Sequence, residues 1–279
     1  MSRFILETAD LSMEFRPPRK LLQPARPPVR AVEGVDLRVG QGEVLGIVGE
    51  SGSGKSTLAK TILGLYRPSR GAILLDGKES RWNSRRQARR ERRAIQYVHQ
   101  DPGAALDPWW SIGRTLHEAL IIHGEKDAAQ RNRLIDTMLE AVGLSPEFRK
   151  RYPHELSGGQ QRRIGIARTL ILKPRIVILD EPTSGLDMSV QKTVLTLVHG
   201  IRREFDLTYL FVSHDLSVVR HLCDRTAIMK EGRIVEIGDT ASIFADPRHD
   251  YTRTLIAAAP SLHSERLAAR PSEKTEEHP

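Results

Sequence analysis

The sequence predicts an α/β fold in which a mostly parallel β-sheet is flanked by helices and interrupted by one helical insertion. Three observations carry this prediction. Strand patterns alternate with helical patterns along the chain, the segments RIVILD (175–180) and TYLFVSH (208–214) are almost continuously apolar, and the segment before them, about 101–173, is mostly helical in pattern. Strands that alternate with helices pair in parallel, because each helix returns the chain to the same end of the sheet.

The elements of the first quarter of the chain follow from local patterns. FILETADLSMEF (4–15) is predicted to be an edge strand. The segment 16–30 contains five prolines and five basic residues, and because proline lacks an N–H donor, we expect an exposed loop there. AVEGVDLRV (31–39) alternates apolar and polar residues as a half-buried strand does, and GEVLGIVG (42–49) is a more continuously apolar strand. KSTLAKTILGLY (55–66) has the apolar spacing of a helix.

The remaining elements are predicted in the same way. GAILLDGK (71–78) is a strand or hairpin arm, and AIQYVHQ (94–100) is a strand that follows an arginine-rich helix. SVQKTVLTLVHGIRREF (189–205) is a helix between the two apolar strands. The tail 261–279 is polar and contains prolines, so it is predicted to be largely disordered.

Composition is typical of a globular chain with one substantial core, since 39% of the 279 residues are hydrophobic and 28% are charged. The longest apolar stretches fall far short of the roughly 18 residues that a membrane helix needs. MSRFILETAD has no signal-peptide pattern. The single cysteine, Cys223, has no partner for a disulfide within this chain. These features predict a cytosolic protein.

The formal net charge of +8 raises the question of a nucleic-acid or anionic-lipid partner. Seven arginines lie in RWNSRRQARRERR. Four of them fall at four-residue steps along one helical face: Arg81, Arg85, Arg89 and Arg93. A solvated helix face is the favoured interpretation, and attraction to anionic lipid is the alternative. No nucleic-acid partner is expected, because this segment has no interleaved aromatic platform for base stacking.

GESGSGKST (49–57) lies between a predicted strand and a predicted helix and fits the phosphate-loop pattern G-x-x-x-x-G-K-[ST]. Glycines allow successive backbone N–H groups to converge on phosphate oxygens, and the helix N-terminus adds partial positive charge. Lys55 is predicted to reach the β- and γ-phosphates of a nucleoside triphosphate, and the Ser56 hydroxyl to bind Mg²⁺. The residues predicted to hold the triphosphate in this loop are Gly49, Ser51, Gly52, Ser53, Gly54, Lys55, Ser56 and Thr57. The loop alone leaves a kinase, a GTPase, a motor and a transporter ATPase open.

Two further motifs carry chemistry. The apolar strand of RIVILDEPTSGLD ends in Asp180, where a carboxylate can hold the magnesium shell, and Glu181 follows at once as a candidate base for the attacking water. A helix cap is the alternative role for adjacent acids after a strand. In ELSGGQQRR, Ser157 and two glycines precede a helical pattern, so they serve as an ordinary N-cap or as donors for a γ-phosphate presented by another molecule.

These motifs together resemble the nucleotide-binding subunits of ABC transporters, from about residue 4 to 260. The resemblance rests on GESGSGKST, LSGGQ (156–160), ILDEPTSGLD and VSHDL, which occur in this order. It implies one ABC ATPase domain over 1–260, with a P-loop NTPase core, an antiparallel β subdomain and an inserted helical subdomain at about 101–173. It also implies a head-to-tail dimer in which the phosphate loop of one subunit and the signature of the other hold each ATP. The signature residues are Ser157, Gly158, Gly159 and Gln160.

The same resemblance implies roles for single residues outside the phosphate loop. Gln100 in YVHQDP would contact Mg²⁺ and the nucleophilic water, and His214 in VSHDL would contact the γ-phosphate and help orient Glu181. Asp187 in SGLD would lie at the dimer interface. Phe15 is the candidate for stacking on adenine, with simple packing as its alternative role.

A narrower resemblance is to the dipeptide, oligopeptide and nickel uptake branch of the family. Glu50 in the phosphate loop, QDPGAALDP (100–108) and DPRHDYTRTLIAAAP (246–260) carry it. The last two resemble the branch motifs QDP-x-x-S-L-N-P and P-x-H-P-Y-T-x-x-L.

The chain departs from these motifs at a few positions. Asp250 stands where the branch has proline, and Ala105 and Asp107 stand where it has serine and asparagine. Two adjacent tryptophans, Trp109 and Trp110, are unusual there. The cysteine cluster of many branch members is missing, so no iron–sulfur site is predicted.

The resemblance implies an ATPase that powers import of peptides or a related small solute through a permease of two transmembrane subunits. The implied partners are those subunits, a second ABC ATPase in a homodimer or heterodimer, and an extracytoplasmic solute-binding protein reached through the permease. The implied location is the cytoplasmic side of a bacterial inner membrane. Two alternatives stay open: an ATPase of a soluble enzyme complex, like the accessories of carbon–phosphorus lyases, and a DNA-repair or translation ABC protein, whose coiled coil, zinc module or tandem ATPase is missing from this sequence.

Overall fold

The computed structural model of the chain describes residues 4–16, 27–80, 84–99 and 103–259. Its strands are β1 (Phe4–Phe15), β2 (Val29–Gly40), β3 (Val44–Val48), β4 (Arg70–Leu75), β5 (Lys78–Glu79), β6 (Ile95–Val98), β7 (Ile176–Asp180), β8 (Thr208–Ser213), β9 (Arg225–Lys230) and β10 (Arg233–Asp239). Its helices are α1 (Lys55–Ile62), α2 (Arg85–Ala94), α3 (Ile112–Ile122), α4 (Ala128–Ala141), α5 (Gly158–Leu170), α6 (Met188–Phe205), α7 (Leu216–Leu222), α8 (Thr240–Ala245) and α9 (Asp250–Ala257). Short 3₁₀ turns lie at Pro146–Lys150 and Pro153–Glu155.

The larger sheet has six strands in the order β10-β9-β3-β8-β7-β6. Every neighbouring pair is parallel except β9 and β10, which are antiparallel. All side chains of β3, β7 and β8 are buried, as expected for central strands of a parallel sheet covered on both faces. Ile178 and Leu210 lie in the core on the α1 side, whereas Val177 and Phe211 lie in the core on the side of α5 and α6.

The second sheet is antiparallel, with the order β2-β1-β4-β5. It confirms the antiparallel part of the predicted fold. The prediction that residues 4–15 form an edge strand is wrong, because β1 pairs on both sides: Leu6 lies opposite Val39 on β2 and Leu75 on β4. The physical reason is that strand neighbours pair through backbone groups, whereas the apolar pattern of β1, with the fully buried Leu6 and Leu11, reports only which side chains are covered.

Two predicted boundaries are also wrong. Val29 and Arg30 belong to β2 rather than to a loop, while residues 17–26 of that predicted loop lie outside the described part. Helix α1 ends at Ile62, four residues before the predicted end. Gly64 has a φ of 75°, and the N–H of Leu65 donates to the carbonyl of Lys60 at 2.9 Å, which is the Schellman arrangement that stops a helix at a glycine.

The segment predicted to be a helical insertion is helical where it is described. Helices α3, α4 and α5 pack through Leu116, Ile135 and Ile164 into one core with the sheet residue Val177. Within the ranges that the structure describes, no helix combines the length and the apolar character that crossing a bilayer would require. The domain limits of 1–260 and about 101–173 stay predictions, and the tail 261–279 lies beyond the described residues.

Candidate active site

The motifs far apart in sequence meet at the carboxyl ends of three adjacent strands. The phosphate loop follows β3, His214 follows β8, and Asp180 is the last residue of β7. In the parallel register, Val48 lies opposite Ser213, and Asp180 lies opposite Val212. Ligands of open α/β sheets bind at this edge, in the crevice outside the carboxyl ends of the strands. The arrangement therefore forms one candidate site.

The glycines of the phosphate loop are required by close backbone contacts. A Cβ atom at Gly49 would lie 2.1 Å from the carbonyl oxygen of Met229, and one at Gly54, where φ is 104°, would lie 2.1 Å from that of Ala31. The N–H of Gly232 donates to the carbonyl of Ser53 at 2.9 Å. The loop is therefore held against β2 and the turn after β9, and no larger residue fits at either glycine.

Lys55 places its ammonium inside the loop. Its Nζ donates to the carbonyl oxygens of Gly49 and Glu50, each at 2.7 Å, and the side chain is buried. Burial lowers the pKa of Lys55, and the nearby carboxylates, Glu181 first and then Asp180, act in the opposite direction. The ammonium is thus a poorly hydrated cation in the centre of the loop, well suited to attract phosphate.

Asp180 is buried and receives two hydrogen bonds on its carboxylate. The Ser56 hydroxyl donates to Oδ1 at 3.1 Å, and the Tyr97 hydroxyl donates to Oδ2. A serine hydroxyl beside a carboxylate is the kind of oxygen pair that Mg²⁺ binds together with substrate phosphates. The site residues therefore fit Mg²⁺ as predicted for Ser56 and Asp180.

Sequence reasoning missed Tyr97. It lies on β6, the strand that pairs with β7, and its side chain reaches Asp180 along that edge. Burial, followed by the hydrogen bond to Asp180, raises the pKa of Tyr97, so the hydroxyl keeps its proton and remains a donor. The signal that could have identified Tyr97 is a polar side chain on β6, the strand next to β7, which ends in Asp180.

Glu181 and His214 lie together. Oε1 of Glu181 is 3.1 Å from Nδ1 of His214. Glu181 has a φ of 50°, and its N–H donates to the carbonyl of Val212 at 2.9 Å. This backbone bond ties Glu181 to β8, so the half-buried carboxylate and the exposed imidazole are held at the same edge of the sheet. Their catalytic roles stay predictions.

The signature residues cap α5. The Ser157 hydroxyl accepts from the N–H of Gln160 at 3.3 Å, and the Gln160 side chain accepts from the N–H of Ser157 at 3.0 Å, which is a capping box. Gly158 and Gly159 are exposed, and a Cβ atom at either would meet nothing within 4 Å. Gly158 and Gly159 therefore leave the start of α5 open to solvent, as a site completed by another molecule would require.

The other residues predicted for the site lie at the start of α6, at the end of β1 and in the phosphate loop. The exposed Asp187 accepts from the N–H of Val190 at 3.0 Å at the start of α6. Phe15 is 37% exposed and packs edge-to-face on Tyr66, with ring centroids 5.2 Å apart. Gln100 lies outside the described residues. Within the loop, Ser51 and Gly52 are exposed, Ser53 is buried and Thr57 is half-buried.

Sequence comparison matches two family models. Residues 32–184 match the model described as ABC transporter, and residues 235–278 match the one described as oligopeptide/dipeptide transporter, C-terminal region. The oligopeptide transport ATP-binding protein AppF of Bacillus subtilis is 44% identical over 92% of this chain and 78% of its own. The di/tripeptide transport ATP-binding protein DppF of Pseudomonas aeruginosa is 40% identical over 93% of this chain and 80% of its own.

Solved structures agree with the sequence matches. The structure of cbiO1 from Clostridium perfringens, described as part of the ABC transporter complex cbiONQ, superposes with a TM-score of 0.76 at 28% identity and covers 95% of this chain and 100% of that one. A dimeric structure of the ATP-binding cassette MJ0796, bound to ADP and Pi, superposes with a TM-score of 0.71 at 26% identity and covers 84% and 98%.

The fold and the site thus define an ATP-binding cassette, with a phosphate loop, an acidic strand end and a signature helix in one chain. The chain belongs to the ABC transporter family and is one of its ATPase subunits. Both the predicted fold class and the predicted family are confirmed.

Proposed function

We propose that this ATPase powers the import of peptides through a separate membrane permease. The observation that carries the proposal is the presence of two matched regions in one chain, the ATPase region and the peptide-transporter C-terminal region. Relatives that span most of the chain are named for oligopeptide or di/tripeptide transport. These names do not favour the alternative of a soluble enzyme complex.

The phosphate loop binds the triphosphate of ATP. Backbone N–H groups of the loop and of the first turn of α1 surround the phosphate oxygens, and Lys55 exchanges its bonds to the loop carbonyls for bonds to phosphate. Mg²⁺, with Ser56, Asp180 and Gln100 as the predicted binding residues, supplies positive charge to the phosphates when bound. Phe15 is proposed to stack on the adenine.

Glu181 acts on the attacking water. Its carboxylate accepts a proton from the water as the water oxygen bonds to the γ-phosphorus and the bond from that phosphorus to the β–γ bridging oxygen breaks, which releases ADP. His214, 3.1 Å from Glu181, holds the carboxylate in place and donates to the γ-phosphate. Gln100 is proposed to position the same water. The signature of a second subunit completes the site, because the exposed first turn of its α5 directs N–H groups and the Ser157 hydroxyl at the γ-phosphate.

The Tyr97 hydroxyl is proposed to position Asp180. Mg²⁺ is expected to tighten ATP binding, and the Mg²⁺ concentration that gives half of this effect measures the affinity for the metal. We expect Tyr97→Phe to raise that concentration by about tenfold, because a hydrogen-bond partner of a metal-binding carboxylate orients it towards the metal. Titration of Mg²⁺ with the fluorescent nucleotide mant-ATP measures this. Tyr209→Phe is the control, since the buried Tyr209 hydroxyl donates elsewhere, to the carbonyl of Val198 at 3.0 Å. Equal Mg²⁺ dependence of both variants would contradict the proposal.

The helical insertion is proposed to contact the permease. Its surface carries exposed apolar side chains: Trp109 is 86% exposed, and Ile121 and Ile122 are more than half exposed. The Trp110 ring lies under the guanidinium of Arg114, at 3.9 Å. Exposed aromatic residues of this kind are frequent anchors of protein interfaces. Closure of the ATPase dimer around ATP would move this surface and so drive the permease.

Trp109→Glu is expected to lower ATP-driven peptide uptake by about tenfold or more, because a charge in the interface removes an aromatic anchor. Basal ATP hydrolysis of the isolated subunit should stay within about twofold of wild type, since the residue is exposed and lies outside the phosphate loop, the acidic strand end and the signature. Proteoliposome uptake and phosphate release measure the two activities. Leu65→Glu, at a side chain 55% exposed outside the insertion, is the matched control. Equal loss of both activities in Trp109→Glu would contradict this role.

The partners are tested by affinity capture from detergent-solubilised membranes. Glu181→Gln protein with ATP serves as the bait, since it is designed to retain the ATP-bound dimer. Recovery of two polytopic membrane subunits, alone or with a sister ATPase, supports the proposed peripheral location on the cytoplasmic face of a bacterial membrane. A solute-binding protein would then reach the complex through the permease. Recovery of soluble enzymes or nucleic acid alone would overturn the transport function.

A further inference from the structure

The carboxyl-terminal helix α9 contacts the phosphate loop directly. The N–H of Glu50, the second residue of the loop, donates to the hydroxyl of Tyr251 at 3.2 Å. Tyr251 is buried, only 9% exposed, and the Lys230 ammonium lies over its ring, 5.0 Å from the centroid. A residue that lies about 200 positions away in sequence thus becomes part of the surroundings of the ATP site.

The first turn of α9 is held rigidly, which fixes the position of this hydroxyl. The N–H of Tyr251 donates to Nδ1 of His249 at 3.1 Å, so His249 caps the helix. The Glu236 carboxylate on β10 accepts from the N–H groups of Arg248 and His249 at 2.9 and 3.1 Å. Thr252 is fully buried behind the same turn. The helix start is therefore anchored to the larger sheet through β10.

Glu50 is the residue at which the loop leaves its strand. Its carbonyl oxygen accepts from Nζ of Lys55 at 2.7 Å and from the N–H of Ser53 at 3.2 Å, while its N–H meets Tyr251. The contact with Tyr251 therefore holds the Gly49–Glu50 peptide group, the first of the loop. The carbonyl oxygen of the same peptide group accepts from Nζ of Lys55 at 2.7 Å, so the contact also bears on the resting position of Lys55. A preorganised loop binds phosphate more tightly, because it loses less conformational entropy when phosphate binds.

We propose that Tyr251 is a positioning residue for the phosphate loop, so that the C-terminal helix α9 supports the ATP site. This inference rests on the proposed function in one respect, that the loop binds ATP. Two segments of the sequence that carry the branch resemblance, Glu50 and residues 246–260, meet at this contact. The C-terminal region is thereby part of the nucleotide site rather than an appendage with a separate task.

Tyr251→Phe tests the inference, because it removes the hydroxyl and keeps the ring. We expect the Kd for mant-ATP and the KM for ATP to rise by about threefold to tenfold, the range for loss of one hydrogen bond. The value of kcat should change by less than about twofold, since Tyr251 does not touch the reacting atoms and its loss weakens binding of the substrate and of the transition state alike. Thermal unfolding without nucleotide measures any general loss of stability.

Tyr209→Phe is the matched control, because it also removes one buried tyrosine hydroxyl. A raised Kd in Tyr251→Phe with a wild-type Kd in Tyr209→Phe supports the inference. A wild-type Kd in Tyr251→Phe, or an equal rise in both variants, overturns it. If Tyr251→Phe does not fold, Glu236→Ala decides in its place, since it releases the start of α9: a raised Kd supports the inference and a wild-type Kd overturns it. Wild-type protein that binds no mant-ATP would overturn the proposed function as well.

Discussion

Glu181→Gln is expected to lower the rate of ATP hydrolysis by about a hundredfold to ten-thousandfold, the usual contribution of a general base. Glutamine keeps the size of the side chain but does not accept a proton from the attacking water. ATP binding should persist, because Lys55 and the loop N–H groups are unchanged, and the ATP-bound dimer should accumulate. Phosphate release at saturating ATP measures the rate, and light scattering after size-exclusion chromatography in ATP measures the dimer.

The matched control for this variant is Glu140→Gln, which makes the same change at an exposed carboxylate near the end of α4. Its hydrolysis rate should equal that of the wild type. A Glu181→Gln protein that hydrolyses ATP at the wild-type rate would show that another group accepts the proton. His214, whose ring nitrogen lies within hydrogen-bond distance of the Glu181 carboxylate, would be the next residue to substitute.

Lys55→Met is expected to weaken ATP binding by about tenfold to a hundredfold, because hydrogen bonds to a charged group are worth more than neutral ones. Methionine has a similar length and no charge, and it leaves the centre of the loop without a cation. Hydrolysis should fall together with binding. The Kd for mant-ATP, determined at several ionic strengths, measures the effect.

Lys60→Met is the control, since Lys60 lies on the same helix α1 but outside the phosphate loop. It should bind mant-ATP like the wild type. Far-ultraviolet circular dichroism of both variants checks that the fold is retained. A Lys55→Met protein with wild-type affinity would contradict the assignment of residues 49–57 as the phosphate site.

Strands β3, β7 and β8 of the larger sheet are predictable from sequence for a definite physical reason. A strand buried on both faces has to be apolar at every position, so segments such as those of β3, β7 and β8 stand out from their surroundings. Once they are taken as adjacent parallel strands, the loops that follow them are expected at one edge. Asp180 and His214 follow such strands, and the family resemblance of their motifs points to the same ATP site as the phosphate loop.

The boundaries in the first sheet are harder to predict. Residues 4–15 alternate irregularly, because β1 pairs with β2 and β4 through several register shifts. Local pattern does not reveal whether a strand has one neighbour or two, so the edge prediction is wrong. The end of α1 depends on Gly64, whose φ of 75° allows the last turn to close earlier than the apolar spacing indicates.

The sequence by itself determined the chemical groups of this protein: the glycines, Lys55 and Ser56 of the phosphate loop, the paired acids at 180–181, and the family to which they point. Such motifs are contiguous, so their spacing is readable along the chain. Only the tertiary structure decided that Tyr97 donates to Asp180 and that Tyr251 accepts from Glu50. These contacts join residues separated by 83 and 201 positions, and they depend on strand order and on how the last helix packs, which no local pattern encodes.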